Sequence, residues 1–407
     1  MKLHWQILLG IAFGLIYGLA VRAGAPIDAW GTWSALPALL GDLFIRALKM
    51  IIIPLIVASV VMGIQEIGDT ARLGKVGVRT MLYYGATTLL AVTAGMLVVN
   101  VLEPGAGLEL TFEGEASVEP TPLTQVIRDI IPTSALGVFA ANKMLPSIFV
   151  ALLMGVGLLA LDDEQAAPMR GFFSSLNALV LEITDWIMRT APVGVAALFI
   201  KTLLDPKLAD VGQYFEDLGT YMLAVVAGLG IHALVTLPLI LWLVGKRSPL
   251  AFARALSPAL LTAFSTASSS ATYPVTLEQV TDEAGVSRET ATFVLPLGAT
   301  INMDGTALYE AVAVVFIANA LAGFDLTFVQ QLTVVVTATL AAIGAAGVPS
   351  AGLVTMIIVL ESVGLPAGAY GLVVAVDRVL DMCRTTVNVW GDAVGAAVVD
   401  RWSTDEA

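Results

Sequence analysis

Charge is what this chain has least of. Only 13% of its 407 residues are Asp, Glu, Lys or Arg, about half the share a soluble globular domain carries. A soluble domain of this length is therefore excluded. Cysteine is nearly absent as well: the single Cys383 excludes an internal disulfide and a metal centre built from cysteines alone. Basic residues number 20 against 33 acidic, a formal charge of -13, which excludes a nucleic-acid binder with a basic face. Neither G-x-x-x-x-G-K-[ST] nor H-E-x-x-H occurs, so no ATP-binding loop or zinc-protease helix is visible. The two histidines, His4 and His232, are far apart in sequence and no nucleophile–base pair stands out. Neither an enzyme nor an organic cofactor is expected.

What fills the chain is apolar: 57% hydrophobic residues and a mean hydropathy of +0.88. Segments of about 20 apolar residues, enough to cross the hydrocarbon core, recur along the length. The chain reads as an all-α polytopic membrane protein embedded in the lipid bilayer. Its N-terminal run LHWQILLGIAFGLIYGLAV is too long for a signal-peptide core and lacks an A-x-A-like cleavage site, so it counts as a span. Spans are expected at roughly 4–24, 35–66, 77–101, 136–161, 171–203 and 213–245. Arg72, Lys75 and Arg79 follow span two, and Lys246 and Arg247 follow span six. Those loops face the cytoplasm by the retention of Lys and Arg there. The acidic 102–130 loop, with Glu103, Glu109, Glu113, Glu115 and Glu119, then lies outside. Spans two and five exceed the bilayer thickness and are expected to tilt or project.

From 249 onward the pattern changes. SPLAFARALSPALLTAF leads through STASSSATYP into VTLEQV, two helical pieces too short to cross twice, which reads as a re-entrant hairpin. The span after it is interrupted by NMDGT at 302–306. FVQQLTVVVTATLAAIGAAGVPSAGLVTMIIVLESVGLP repeats the hairpin theme, and a final span carries VDRVLDMCRTTVNVWGD. A hairpin makes no net crossing and the span between makes one, so the second hairpin must enter from the opposite face. That is an inverted repeat, with eight transmembrane helices and both termini in the cytoplasm. Inverted repeats with broken helices mark secondary transporters, and non-helical backbone at membrane depth persists only beside protein or a water-filled cavity.

The polar residues concentrate in these segments. Asp381, Arg384, Thr385, Asn388 and Asp392 fall at offsets 0, +3, +4, +7 and +11, a stripe of roughly 100° on a helix. Asp377 lies on the same face. Each charge at the bilayer centre costs on the order of 3 kcal/mol on insertion scales. An ion pair between Asp381 and Arg384 that only staples helices would not need four further polar neighbours. Arg384 offers a planar fork for a carboxylate, and Asp381 an acceptor for an ammonium. The two describe an amino acid with an acidic side chain. The free N–H groups around Ser268, Ser269 and Ser270 can hold the remaining carboxylate. At NMDGT, unoccupied carbonyls with Asn302 and Asp304 form an oxygen cage suited to Na⁺. Asp304 and Asp392 are assigned to separate cation sites, with Asp304 also able to cap its half-helix. Glu310 reads equally as a buried carboxyl able to take up a proton or as a helix–helix hydrogen bond. His232 reads as a satisfied core residue and His4 as an interface one. Tyr83, Tyr84, Thr87 and Thr88 alone read as packing.

STASSSATYP, GATINMDGTALYEA, AAIGAAGVPSAG and LDMCRTTVNVWGD, in that order, resemble the hairpin and broken-span motifs of the glutamate/aspartate transporter family of dicarboxylate/amino acid:cation symporters. YYGATT and DIIPTSALGVF extend the resemblance over nearly the whole chain. It implies a homotrimer in the cell (inner) membrane. A scaffold is implied over 1–76 and 102–212, with spans 1, 2, 4 and 5. An elevator-like transport domain is implied over 77–101 and 213–402. Within it lie hairpin 1 at about 249–283, span 7 at 286–322, hairpin 2 at 327–363 and span 8 at 366–400. Hairpin 2 would be the extracellular gate. The resemblance gives the substrate to Arg384, Asp381, Asn388, Thr385, Thr306, Ser269 and the backbone of Val348 and Gly352. One sodium goes to Gly298, Asn302, Asn388 and Asp392. A second goes to the carbonyls of Thr300, Ala342, Ile343 and Ala345 with Met303, and a third to Tyr84, Thr87, Thr88, Asn302 and Asp304.

The chain departs from that pattern in places. Several archaeal members carry an arginine where this chain has Ala267, and animal acidic amino acid carriers one where it has Met382. Arg378 lies one turn from Met382. Glu310 matches the glutamate used for proton coupling in animal members, where archaeal relatives have glutamine. Ala342 and Ala345 replace hydroxyl residues of some relatives, which matters little where carbonyls do the binding. Sodium-driven uptake of acidic amino acids is the expectation, with proton or potassium coupling open. A proton- or sodium-coupled C4-dicarboxylate carrier has no use for Asp381, and a neutral amino acid carrier no need of Arg384.

Overall fold

The computed structural model describes residues 3–24, 35–67, 71–108, 110, 128, 130–141, 143–205, 208, 210–321, 324, 326–343 and 351–404. Among them regular structure is helical, apart from an isolated bridge between Leu110 and Leu321. Spans 1 to 3 are the unbroken helices Leu3–Arg22, Ala35–Ile67 and Ala71–Leu102. The third starts at Ala71 rather than 77, so Arg72, Lys75 and Arg79 ride its first turns instead of a loop.

The next two spans differ from expectation, each at a proline. The fourth, expected as one helix over 136–161, is a short piece, Ala135–Ala140, and a longer one, Met144–Leu159. Pro146 cannot donate back into a preceding helix but suits an opening turn. The fifth, expected over 171–203, begins at Asp163 and bends by 56° between Asp163–Arg189 and Ala191–Leu203. Pro192 removes the N–H that would have carried the helix through. Span 6 runs through Val211–Ile231, a π turn at His232–Thr236, and Leu237–Leu243.

Hairpin 1 enters as Pro249–Ala255 and Ser257–Thr266 and returns as Ser269–Glu278, followed by a π turn at Gln279–Glu283. Its tip is tighter than the sequence suggests. Ala267 takes the left-handed conformation (φ 49°), and Ser268 is extended and caps the return arm by accepting from Ala271 N. Ser269 and Ser270 are therefore the first helical residues rather than loop. Span 7 is Arg288–Ile301 and Asp304–Ala320, broken at Asn302 and Met303. Hairpin 2 has arms Phe328–Ala342 and Ala351–Ser362; its tip lies outside the described residues. A 3₁₀ turn, Ala367–Leu372, leads into span 8, Val374–Thr404.

Five described helices are long and apolar enough to cross a membrane, or six counting the bent pair of span 5. Eight crossings also require Met144–Leu159, which is short, and Val374–Thr404, which is polar. The second half of span 7 is buried on nearly every side, the mark of a central helix. Spans 3, 6 and 8 and the first arm of hairpin 2 pack around it, while spans 1, 2, 4 and 5 pack on one another.

Hydrogen bonds at the two ends fix the direction of each hairpin. Arg247, before hairpin 1, donates to the carbonyls of Ala284 and Gly285, after it. Ser287 and Arg247 both reach Asp400 at the end of span 8, and Arg79 donates to Trp402 O at 2.8 Å. Both ends of hairpin 1 thus lie with the start of span 3 and the end of span 8. At the other end of span 3, Asn100 bonds Gln331 in the first turns of hairpin 2 at 3.1 Å, and Asn319 donates to Pro104 O at 3.1 Å. Tyr214, opening span 6, donates to Leu372 O beyond hairpin 2 at 2.9 Å. The hairpins enter from opposite faces, as the count of crossings requires.

A labelling experiment follows. In a Cys383→Ser background, Lys246→Cys and Glu283→Cys are expected to react with an impermeant maleimide from one face of oriented vesicles, and Phe328→Cys from the other. Opposite accessibility of the first two would make hairpin 1 a crossing.

Candidate functional site

The break in span 7 and the polar stripe of span 8 meet in the interior. Asn302 and Met303 have ψ of 73° and 61°, outside the helical range, so carbonyls of the last turn before them lack helical donors. Asn388 accepts from Gly305 N at 2.8 Å and donates to Thr306 Oγ1 at 3.2 Å. Asn302 Nδ2 donates to Asp392 Oδ1 at 3.0 Å. Gly298 is required by close approach: a Cβ there would stand 2.8 Å from the Tyr84 hydroxyl and closer still to the Asp392 carboxylate.

Asp304 gathers a second set of groups. Its Oδ1 accepts from Thr88 at 2.6 Å and lies 3.4 Å from Thr87 Oγ1, which is also 3.4 Å from Asn302 Oδ1. Its Oδ2 is 3.0 Å from His232 Nε2. Span 3 thus contributes to the polar centre, and the hydroxyls that alone read as packing are partners of a buried carboxylate. Tyr84 OH donates to Val294 O at 2.6 Å, and Tyr83 OH to Gly391 O at 3.0 Å. Asp304 and Asp392 have no Lys or Arg within ion-pair distance among the described residues. Two buried carboxylates without a fixed basic partner favour a mobile cation.

The outer part of the stripe is built oppositely. Asp381 accepts from Arg384 Nε at 2.9 Å and from Arg378 Nη1 at 3.2 Å. Arg384 Nη1 also donates to Asp377 Oδ1 at 3.2 Å, which takes the Tyr309 hydroxyl at 2.8 Å. Two arginines and two aspartates close a neutral cluster, and Arg378, one turn before Met382, is the second cation on Asp381. The Arg384 guanidinium is 1% exposed and lies 4.3 Å from the centre of the Tyr309 ring, a cation–π contact. Its Nη2 has no hydrogen-bond partner among the described residues. It faces Gly352, where a Cβ would stand 2.7 Å from Nη1, so the second arm of hairpin 2 presents bare backbone to the charge. Tyr309 was missed in the sequence, although it stands one turn after Thr306.

The remaining expected residues fall around these clusters. Ser268 and Ser269 are buried and Ser270 is exposed; Ser269 shares a small cavity with Asp392, Tyr273 and Thr276. Thr385 and Met303 are buried and Thr300 half-buried, its hydroxyl donating to Leu297 O at 3.1 Å. Ala342 ends the first arm of hairpin 2 and Ile343 is its C-cap, where carbonyls run out of helical donors. Val348 and Ala345 lie outside the described residues, as do Glu109, Glu113, Glu115, Glu119 and the side chain of His4. Glu310 is fully buried and accepts from Thr355 of hairpin 2 on Oε1, while Oε2 has no hydrogen-bond partner among the described residues. His232 is core as expected, but only Nε2 is satisfied.

Comparisons with known proteins agree across the chain. The sodium:dicarboxylate symporter family model matches residues 3–402. Excitatory amino acid transporter 3 of Mus musculus is 36% identical, covering 99% of this chain and 86% of its own length. Excitatory amino acid transporter 1 of Ambystoma tigrinum is 35% identical, covering 98% and 82%. Neutral amino acid transporter B(0) of Oryctolagus cuniculus is also 35% identical, covering 97% and 79%.

The outer cluster is expected to contribute to stability. Tyr309→Phe removes only the hydroxyl that Asp377 accepts and should cost roughly 1–3 kcal/mol. Tyr309→Leu also removes the ring beneath Arg384 and should cost more. Thermal unfolding of the detergent-solubilised protein measures both.

Proposed function

The chain belongs to the sodium:dicarboxylate symporter family, and from that membership and the paired clusters of its interior we propose that it is a secondary carrier for acidic amino acids, aspartate or glutamate, moved together with sodium ions. The observation that carries this reading is Arg384: a buried guanidinium whose Nη2 has no hydrogen-bond partner among the described residues, facing the bare backbone of Gly352 and held beside a carboxylate. A relative that carries neutral amino acids is as similar in identity as those named for excitatory ones, so overall identity does not choose between substrates. The guanidinium favours an acidic side chain, and Asp381 an amino group over a plain dicarboxylate.

In this reading the side-chain carboxylate takes Arg384 and the ammonium replaces Arg378 on Asp381. The first-turn N–H groups of the hairpin 1 return arm and the Val348 backbone take the other carboxylate. Asn388, Thr385, Thr306 and Gly352 complete the pocket. Coupling follows from charge. The outer cluster is neutral, so an acidic amino acid adds one negative charge, while Asp304 and Asp392 add two. Sodium ions offset these, and without them the loaded protein would hold a net charge against lipid at a cost of several kcal/mol. The ions take Gly298, Asn302, Asn388 and Asp392; Tyr84, Thr87, Thr88, Asn302 and Asp304; and the carbonyls of Thr300, Ala342, Ile343 and Ala345 with Met303. Glu310, against Thr355, is the candidate for proton coupling, and potassium coupling stays open.

Spans 1, 2, 4 and 5 serve as the scaffold, and spans 3, 6, 7 and 8 with both hairpins move as an elevator in a homotrimer of the cell inner membrane, both termini cytoplasmic. Lys49 supports that motion. It is fourteen residues into span 2, about 21 Å along the helix, and pairs at 2.6 Å with Glu361 near the outer mouth of hairpin 2. The mouth of hairpin 2 therefore sits deep against span 2. The protein is a carrier and not an enzyme.

Uptake of labelled aspartate, glutamate, malate and serine into proteoliposomes tests the reading. Saturable, sodium-dependent accumulation of aspartate or glutamate is expected; preference for malate or serine, or flux that does not saturate, overturns it. Arg384→Ala is expected to weaken acidic amino acid binding by about thirtyfold or more and to abolish the acidic preference. Arg378→Gln frees Asp381 for the ammonium and is expected to tighten binding roughly two- to tenfold by calorimetry.

A further inference from the structure

His232 is fully buried in span 6, and its Nε2 lies 3.0 Å from Asp304 Oδ2. An ionised carboxylate only accepts hydrogen bonds, so the ring nitrogen facing it carries the hydrogen. The other nitrogen, Nδ1, is buried and has no hydrogen-bond partner among the described residues. A second N–H there would be a buried donor lacking any acceptor, which suits a ring with its one hydrogen on Nε2.

The backbone aims this ring. At His232 the helix gives way to a π turn, His232–Thr236, in which bonds run from i to i+5 and side chains beyond are rotated. Pro238 has no N–H, so Ala233 O, five residues earlier, lacks its helical donor. Trp390 Nε1 of span 8 supplies one at 3.1 Å. The next residue, Gly391, leaves Asp304 its room: a Cβ there would stand 3.2 Å from Oδ2. Spans 6 and 8 are pinned together beside the carboxylate. On the other carboxylate oxygen, Thr88 donates to Oδ1 at 2.6 Å, and Thr87 Oγ1 lies 3.4 Å from both Oδ1 and Asn302 Oδ1.

We propose that His232 is a positioning residue for the sodium ion at Asp304. Its Nε2–H holds Oδ2 and fixes the carboxylate plane, leaving Oδ1 to face the ion among the oxygens of span 3 and Asn302. The imidazole does not touch the ion; it acts through Asp304. The proposal rests on the sodium reading above.

The test compares His232→Gln, which keeps an N–H donor of similar reach, with His232→Met, which keeps the bulk and loses the donor. Sodium chloride, balanced by choline chloride, is titrated against the melting temperature of the purified protein and against aspartate uptake in proteoliposomes. His232→Met is expected to raise the half-saturating sodium concentration by about ten- to a hundredfold, with uptake at saturating sodium retained, while His232→Gln stays near wild type. If His232→Met does not fold, His232→Asn, whose amide is too short to reach Asp304, takes its place. Equal sodium midpoints for the donor and non-donor variants overturn the role of His232 alone. A wild-type protein stabilised by aspartate but indifferent to sodium overturns the sodium reading, and this proposal with it.

Discussion

Two buried carboxylates with no Lys or Arg partner among the described residues are the constraint on which this interior depends. Asp304 and Asp392 sit near the break of span 7, linked through Asn302, and the His232 imidazole lies 3.0 Å from Asp304. Carboxylates in a low-dielectric interior must acquire a counter-charge or a proton. The surrounding oxygens of Thr87, Thr88 and Asn302 and the carbonyls freed by the helix break make a cation the natural answer. Close packing of Gly298 on Asp392 and Gly391 on Asp304 then holds the spans at the separation that the cage requires.

The second cluster solves a different problem with the same residue types. Arg378, Arg384, Asp377 and Asp381 neutralise one another, so the pocket is stable when empty, yet Arg384 keeps one nitrogen in reserve. Each charge has a partner that, on the proposed reading, a zwitterion would replace, and the Tyr309 ring lies under the guanidinium. On the proposed reading, a neutral cluster beside an acidic one gives substrate and ions a reason to bind together: the first would gain a negative charge only when the second has been neutralised.

Much of this was legible in the chain itself. The stripe Asp377, Asp381, Arg384, Thr385, Asn388 and Asp392 follows from helical spacing alone, because one continuous helix carries all six. The break at NMDGT follows from Asn and Gly where a helix would have to continue, and the opposed hairpins from counting crossings. Prolines were harder to weigh. Pro146 and Pro192 split spans that hydropathy reads as continuous, since hydropathy registers lipid preference and not missing N–H donors. The polar opening of span 5 from Asp163 hid its true start for the same reason.

Membrane class, helix order, hairpin polarity and the residue types of the site were determined by the sequence, because each depends on composition or on spacing along one element. Which groups of different helices share a charge was decided only by the tertiary structure. Thr88 from span 3, His232 from a π turn in span 6 and Asp304 from span 7 are separated by up to 216 positions and meet on one carboxylate. Thr355 became the partner of Glu310 through the same folding, whereas Arg378 and Arg384 reach Asp381 from three residues away on its own helix. Periodicity records which way a side chain leaves its own helix; what it meets there is set by how helices pack.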